Sequence, residues 1–119
     1  MPPDDAQSLL AKYVELHNAG VRTGDFGPLM ALFDEKAVMV FRGLDVGPLE
    51  GLDSIAEAFR SEPPNDELIV SDVCGDPGCV TGKYAWKGQP GHVVGQIGVE
   101  SRDGRIMRVT VRVIRRAGD

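Results

Sequence analysis

From Leu68 onward the apolar residues of this chain read as strands alone, after a first half in which helical spacing prevails, and few architectures accept such an order. Ahead of that point Ala6, Leu9, Leu10, Tyr13, Leu16 and His17 recur at helical spacing, which places them on one inward face. Asp4 with Gln7 three residues on reads as a capping box and Gly20 as a terminator, predicting a first helix over residues 4–19. A short second helix is predicted over residues 25–33, capped by Asp25 and started near Pro28. A third, over residues 53–60, carries Ile55 and Phe59 on one face and is ended by Pro63 and Pro64. Between the second and third, β-branched content predicts a short strand over residues 38–41, followed by a Gly- and Pro-rich loop over 43–51.

Beyond Leu68 only strands are expected, over residues 68–74, 79–87, 92–102 and 105–115, parted by Gly-, Pro- and Asp-containing turns. Helices first and a sheet meander afterwards is the α+β arrangement: three N-terminal helices packed on one face of a curved antiparallel sheet. A length of 119 residues accommodates one core, so the whole of 1–119 is read as a single domain.

Asp103-Gly104 is a strong signal for a two-residue hairpin. Such a turn pairs Arg102 with Arg105, Glu100 with Met107, Gly98 with Val109, Gln96 with Val111 and Val94 with Val113. Met107, Val109, Val111 and Val113 alternate with Arg108 and Arg112, so the apolar set is expected inward, carrying Gln96 and Glu100 with it. Two polar side chains on an apolar wall would need partners, and a bound molecule is one source. The opposite face would then show Arg108, Thr110 and Arg112 beside Val93, Ile97 and Val99, a mixture that suits a homodimer contact through the outer sheet face.

Thirteen basic against eighteen acidic residues give a net charge of -5, which disfavours nucleic acid and anionic membranes as partners. No stretch of eighteen apolar residues and no basic-then-apolar leader occurs, so a cytoplasmic protein is expected. Cys74 and Cys79 flank a turn and are read as reduced thiols. His17 and His92 have no ligand spacing to them, so no metal is implied.

The order and spacing of several strings carry a resemblance. They are residues 10–20 with Tyr13, His17 and Asn18, Gly24-Asp25-Phe26, residues 29–38, Glu50-Gly51-Leu52-Asp53-Ser54-Ile55, and Asp103-Gly104-Arg105-Ile106. Together, over nearly the whole chain, they resemble the ketosteroid isomerase and SnoaL-like polyketide cyclase families of the nuclear transport factor two-like superfamily. The resemblance implies a cystatin-like cone around a pocket for a small apolar molecule, and chemistry without a cofactor. Tyr13 matches the family's oxyanion tyrosine. The family's base position falls on or next to Phe41 and Arg42, where no carboxylate stands, and its second oxyanion position falls near Gln96. Loss of the base carboxylate leaves Asp45, a few residues on, and His17, one turn from Tyr13, as candidate bases.

The expected lining is Val40, Phe41, Phe59, Tyr84, Trp86, Val109 and Val111, with Gln96 and Glu100 as polar contacts. The leading expectation is an isomerase- or cyclase-type enzyme acting on a carbonyl- or hydroxyl-bearing compound. Its rivals are a non-catalytic ligand-binding module and a dimeric association domain with a filled interior.

Overall fold

The computed structural model describes residues 5–113. Helix α1 spans Ala6–Thr23 and buries Ala6, Leu9, Leu10, Tyr13 and His17, the face anticipated from its period. Its cap is Asp5, one residue later than expected; the carboxylate accepts from the Ser8 N–H at 2.9 Å, satisfying one of the helix's orphan donors. Asp4 lies outside the described residues. The helix runs past Gly20 because this glycine serves packing instead of termination: a methyl group there would overlap the Phe26 ring. The stop is Gly24, left-handed at φ 84°, whose N–H bonds the Gly20 carbonyl.

Helix α2 (Gly27–Met30) is shorter than predicted, Asp25 accepting from the Gly27 N–H just ahead of it. The chain then enters β1 (Phe33–Arg42), which begins earlier than expected. Two-residue β2 (Leu49–Glu50) leads into α3 (Leu52–Ser61). The meander follows as β3 (Leu68–Asp76), β4 (Cys79–Trp86), β5 (Gly95–Arg102) and β6 (Arg105–Val113). Residues of the expected last strand beyond Val113 lie outside the described residues.

The six strands form one sheet in the order β2-β1-β6-β5-β4-β3. It is mixed: β1 lies parallel to β6, with Met39 opposite Val109 and Phe41 opposite Val111, whereas all the other pairs are antiparallel. The parallel pair gives the long first strand its partner, and the Ile106 N–H anchors the junction at the Leu32 carbonyl (2.9 Å).

The β5–β6 hairpin departs from the expected register. Arg102 faces Arg105 and Ser101 faces Ile106, as a two-residue turn dictates, with Asp103 and Gly104 both at positive φ. A bulge then takes up one residue, and Glu100 pairs with Arg108, Val99 with Val109, Ile97 with Val111 and Gln96 with Arg112. Without that bulge Gln96 and Glu100 would sit in the core and Ile97 and Val99 outside it. Burying an Ile or Val side chain contributes about 1.5–3 kcal/mol, so one irregular residue is a small cost for exchanging them.

Ile97 and Val99 are accordingly buried, while Gln96 and Glu100 are exposed on the outer face, Glu100 beside Arg108 at 3.6 Å. With Ile97 and Val99 turned inward, two of the three apolar residues expected on the outer face leave it, and Val93 stays 47% exposed. The core joins α1, α3 and the inner sheet face through Leu9, Leu10, Phe33, Ile55, Val99, Ile106 and Val109. Cys74 and Cys79 are free and exposed on the β3–β4 hairpin. No helix among the described residues is long and apolar enough to cross a membrane.

Candidate functional site

The helices do not fill the sheet's concave face. A cavity of about 590 Å³ remains beneath α1 and α3, large enough for a small organic molecule. Its floor is Tyr13 and His17 from α1, Met39 and Phe41 from β1, Leu68 and Tyr84 from β3 and β4, and Ile97 and Val111 from β5 and β6. Phe59 and Trp86 form a side wall. The mouth is Leu44, Val46, Glu62, Pro64, Val94 and Val113, of which Leu44 and Val46 stand 42% and 50% exposed on the loop after β1.

Strand geometry sorts the expected lining. Alternate residues of a strand face opposite ways, so Phe41 lines the cavity and Val40, opposite Thr110, is turned to the outer face. Val109 points inward but is fully buried in the core and does not reach the cavity. Gln96 and Glu100 are removed from it by the bulge. Asp45 is exposed and not among the lining residues, although its neighbours Leu44 and Val46 are. Phe59, Tyr84, Trp86 and Val111 line the cavity, together with Tyr13 and His17.

Sequence reasoning missed Met39, Ile97, Leu68, Leu49 and, at the mouth, Leu44, Val46, Glu62 and Pro64, whereas Val94 and Val113 fall on the face it places inward. For Met39 and Ile97 a signal existed: each stands two residues from an apolar residue of its own strand, Phe41 and Val99.

Few polar atoms reach this space. Tyr13 is 3% exposed and its hydroxyl has no hydrogen-bond partner among the described residues. No fully buried side-chain oxygen or nitrogen is left unpartnered there, so this hydroxyl keeps open surface, and the space it borders is the cavity. Burial raises its pKa well above the ordinary tyrosine value, because a phenolate would be poorly solvated; the group stays a neutral donor. Tyr84, 4% exposed, lines the same cavity with its pKa likewise raised by burial.

His17, also 3% exposed, lies among Tyr13, Phe26, Phe59 and Trp86, with ring centroids 6.1–6.5 Å away. Desolvation lowers its pKa, opposed by the Asn18 hydrogen bond and the charge of Glu67. The imidazole is therefore held neutral at physiological pH. Its Nδ1 lies 3.0 Å from Asn18 Oδ1.

Asn18 in turn clamps the start of β3: its Oδ1 accepts from the Leu68 N–H at 2.7 Å and its Nδ2 donates to the Leu68 carbonyl at 2.9 Å. Beside this clamp Glu67 takes Arg22 of α1 (2.5 Å) and Lys87 (3.2 Å), so the floor is tied to α1 from two directions. Among the described residues no three His, Cys, Asp or Glu side chains come together in a way that would hold a metal ion.

Comparison with solved structures gives the architecture a name. An NTF2-like protein of unknown function from Cytophaga hutchinsonii ATCC 33406 superposes with a TM-score of 0.70 at 13% identity, covering 91% of this chain and 88% of its own. An NTF2-like protein from Anabaena variabilis ATCC 29413 superposes with a TM-score of 0.72 at 12% identity, covering 95% and 92%.

The chain has the NTF2-like fold. A putative ketosteroid isomerase from Kribbella flavida DSM 17836 shares it, with a TM-score of 0.69 and 20% identity over 91% of this chain and 76% of that one. A protein from Methylobium petroleophilum PM1, at 0.68 and 19% over 98% and 84%, is described as having a cystatin-like fold. No family model matches the sequence, and no curated protein matches it. At these identities the likeness concerns fold, and function rests on the site.

Proposed function

We propose that this protein binds a small, largely apolar molecule bearing a carbonyl or hydroxyl group and moves a proton on it without a cofactor, in the manner of an isomerase or cyclase. One observation carries this reading: an apolar cavity of about 590 Å³ whose floor holds an imidazole and, one helical turn away, a phenol with no hydrogen-bond partner among the described residues.

The chemistry follows from the groups present. An apolar ligand displaces water and gains roughly 25 cal/mol per Å² of apolar surface buried. The Tyr13 hydroxyl donates to the ligand oxygen, and it strengthens this bond as negative charge develops there. His17, kept neutral by desolvation, takes a proton from the carbon beside the ligand's carbonyl, the C–H electron pair passing to the oxygen held by Tyr13, and returns the proton at another carbon so that the ring ends neutral. Asp45 falls out of this role because it is exposed and off the cavity.

A non-catalytic binding module on the same fold is the second reading, favoured by the lack of a carboxylate on the cavity floor among the described residues. The two are separated by a thermal-shift and native mass spectrometry screen of steroids, terpenoids and aromatic polyketides, followed by turnover assays on the binders. Binding lost or weakened in Tyr13→Phe, with turnover lost in His17→Gln, supports the enzyme. Binding without turnover in the native chain leaves the binding module, and an absence of any binder removes both.

A further inference from the structure

We propose that Asn18 is a positioning residue which fixes the tautomer of His17, so that Nε2 and not Nδ1 is the nitrogen able to take a proton in the cavity. The chemical consequence rests on the reading of His17 as the proton acceptor, whereas the tautomer rests on hydrogen bonds alone.

The amide of Asn18 has no freedom to turn over. Both polar backbone groups of Leu68 face it, an N–H at 2.7 Å from Oδ1 and a carbonyl at 2.9 Å from Nδ2. Exchanging the two ends of the amide would set donor against donor and acceptor against acceptor, so the backbone of β3 decides the orientation. Oδ1 is then an acceptor with a second lone pair, and His17 Nδ1 lies 3.0 Å from it. Only a protonated Nδ1 is attractive at that distance. A neutral ring carries one ring proton, which leaves Nε2 as a bare lone pair.

Nε2 has no partner among the described residues and is not sealed off, and the ring lines the cavity. Free imidazole side chains in water prefer the opposite tautomer, so Asn18 reverses a default. The arrangement follows the general pattern in which the hydrogen bond made by one ring nitrogen sets the chemistry of the other.

The groups packed around the ring do not compete for this role. Tyr13 from its own helix, Phe26 before α2, Phe59 of α3 and Trp86 of β4 face it with rings. The charge that acts on it is Glu67, itself engaged by Arg22 and Lys87, and among the described residues the acidic group lining the cavity is Glu62 at the mouth.

The test is nuclear magnetic resonance of protein labelled with 15N-histidine, read at about pH 8, above the ordinary imidazole pKa. His17→Gln assigns the signals against His92. The native chain should show a protonated, pyrrole-type Nδ1 and a pyridine-type Nε2. Asn18→Asp retains an acceptor for both N–H groups and gives up the donor to the Leu68 carbonyl; it should keep that tautomer and raise the titration midpoint of His17. Asn18→Ala should shift the ring towards Nε2–H.

2-Naphthol serves as the probe: it should move the Nε2 signal in the native chain, and it should bind about tenfold more weakly to Asn18→Ala, the loss expected for one hydrogen bond. A native ring protonated at Nε2, or an unmoved midpoint in Asn18→Asp, overturns the proposal; neither result depends on Asn18→Ala folding. Correct tautomers in a chain that ignores 2-naphthol and every other cavity ligand would uphold the positioning role and refute the functional reading.

Discussion

The floor and the mouth of the cavity are built from opposite materials. At the floor Tyr13, His17, Met39 and Ile97 are almost fully buried. They are held from several sides, by α1 packing, by the Asn18 clamp on Leu68 and by the sheet itself. At the mouth Leu44 and Val46 are about half exposed on a loop that starts at Gly43 with φ 81°, a backbone conformation that suits glycine. The floor has fixed geometry and the unpartnered polar atoms, which is what orienting a reacting oxygen requires. The mouth has apolar surface left in water, which a ligand can cover. Orientation and affinity are thus assigned to different parts of the same space.

Stability should divide the two regions most sharply. Ile97→Ala, at the floor, is expected to cost about 2–5 kcal/mol in urea unfolding. Leu44→Ala and Val46→Ala should stay within about 0.5 kcal/mol while weakening ligand binding. Equal costs would erase the distinction. Because Gln96 is on the outer face, Gln96→Ala should also be near neutral, and a large effect there would contradict the bulged register.

Acidification should load the floor alone. The folded-state pKa of His17 is lowered relative to its unfolded value of about 6.5, so the unfolded chain binds the extra proton first. Stability attributable to this group is therefore full above the unfolded pKa. It declines as pH falls below about 6.5, at up to about 1.4 kcal/mol per pH unit, until the folded pKa is reached. His17→Gln should flatten that slope between about pH 6.5 and the folded pKa in denaturation curves, and a slope that persists would mean that the ring is not desolvated.

The smaller expectation concerns ligand affinity. Tyr13→Phe should leave folding unchanged, since its hydroxyl has no hydrogen-bond partner among the described residues, and should weaken an oxygen-bearing ligand by roughly tenfold. Asp45→Asn, exposed and off the cavity, should change neither stability nor affinity in the same titrations, and a clear loss would bring that residue back into the site.

How much of this was readable before the fold was known depended on the range of the contacts involved. The buried face of α1 follows from spacing along one helix, so Tyr13 and His17 were legible. The β1–β6 pairing joins residues far apart in the chain, and nothing local announces it. The hairpin is the instructive case. Its Asp-Gly turn controls only the pairs next to it, and the bulge beyond resets the rest. Yet the apolar positions carried a clue: Ile97 and Val99 on one strand and Val109, Val111 and Val113 on the other are all odd-numbered. A two-residue turn between 102 and 105 pairs odd with even, so the apolar sets can share a face only if one extra residue is taken up. The turn governs the pairs beside it, and burial governs the rest.

Trp86 is the chain's single tryptophan and lines the cavity wall, so its fluorescence reports on the proposed site directly. A titration with a steroid enone, followed at Trp86 in the native chain and in Tyr13→Phe, is the sharpest test. Saturable one-to-one quenching, weakened about tenfold without the hydroxyl, is the result expected. No saturable change, or equal affinity in both proteins, would contradict the account.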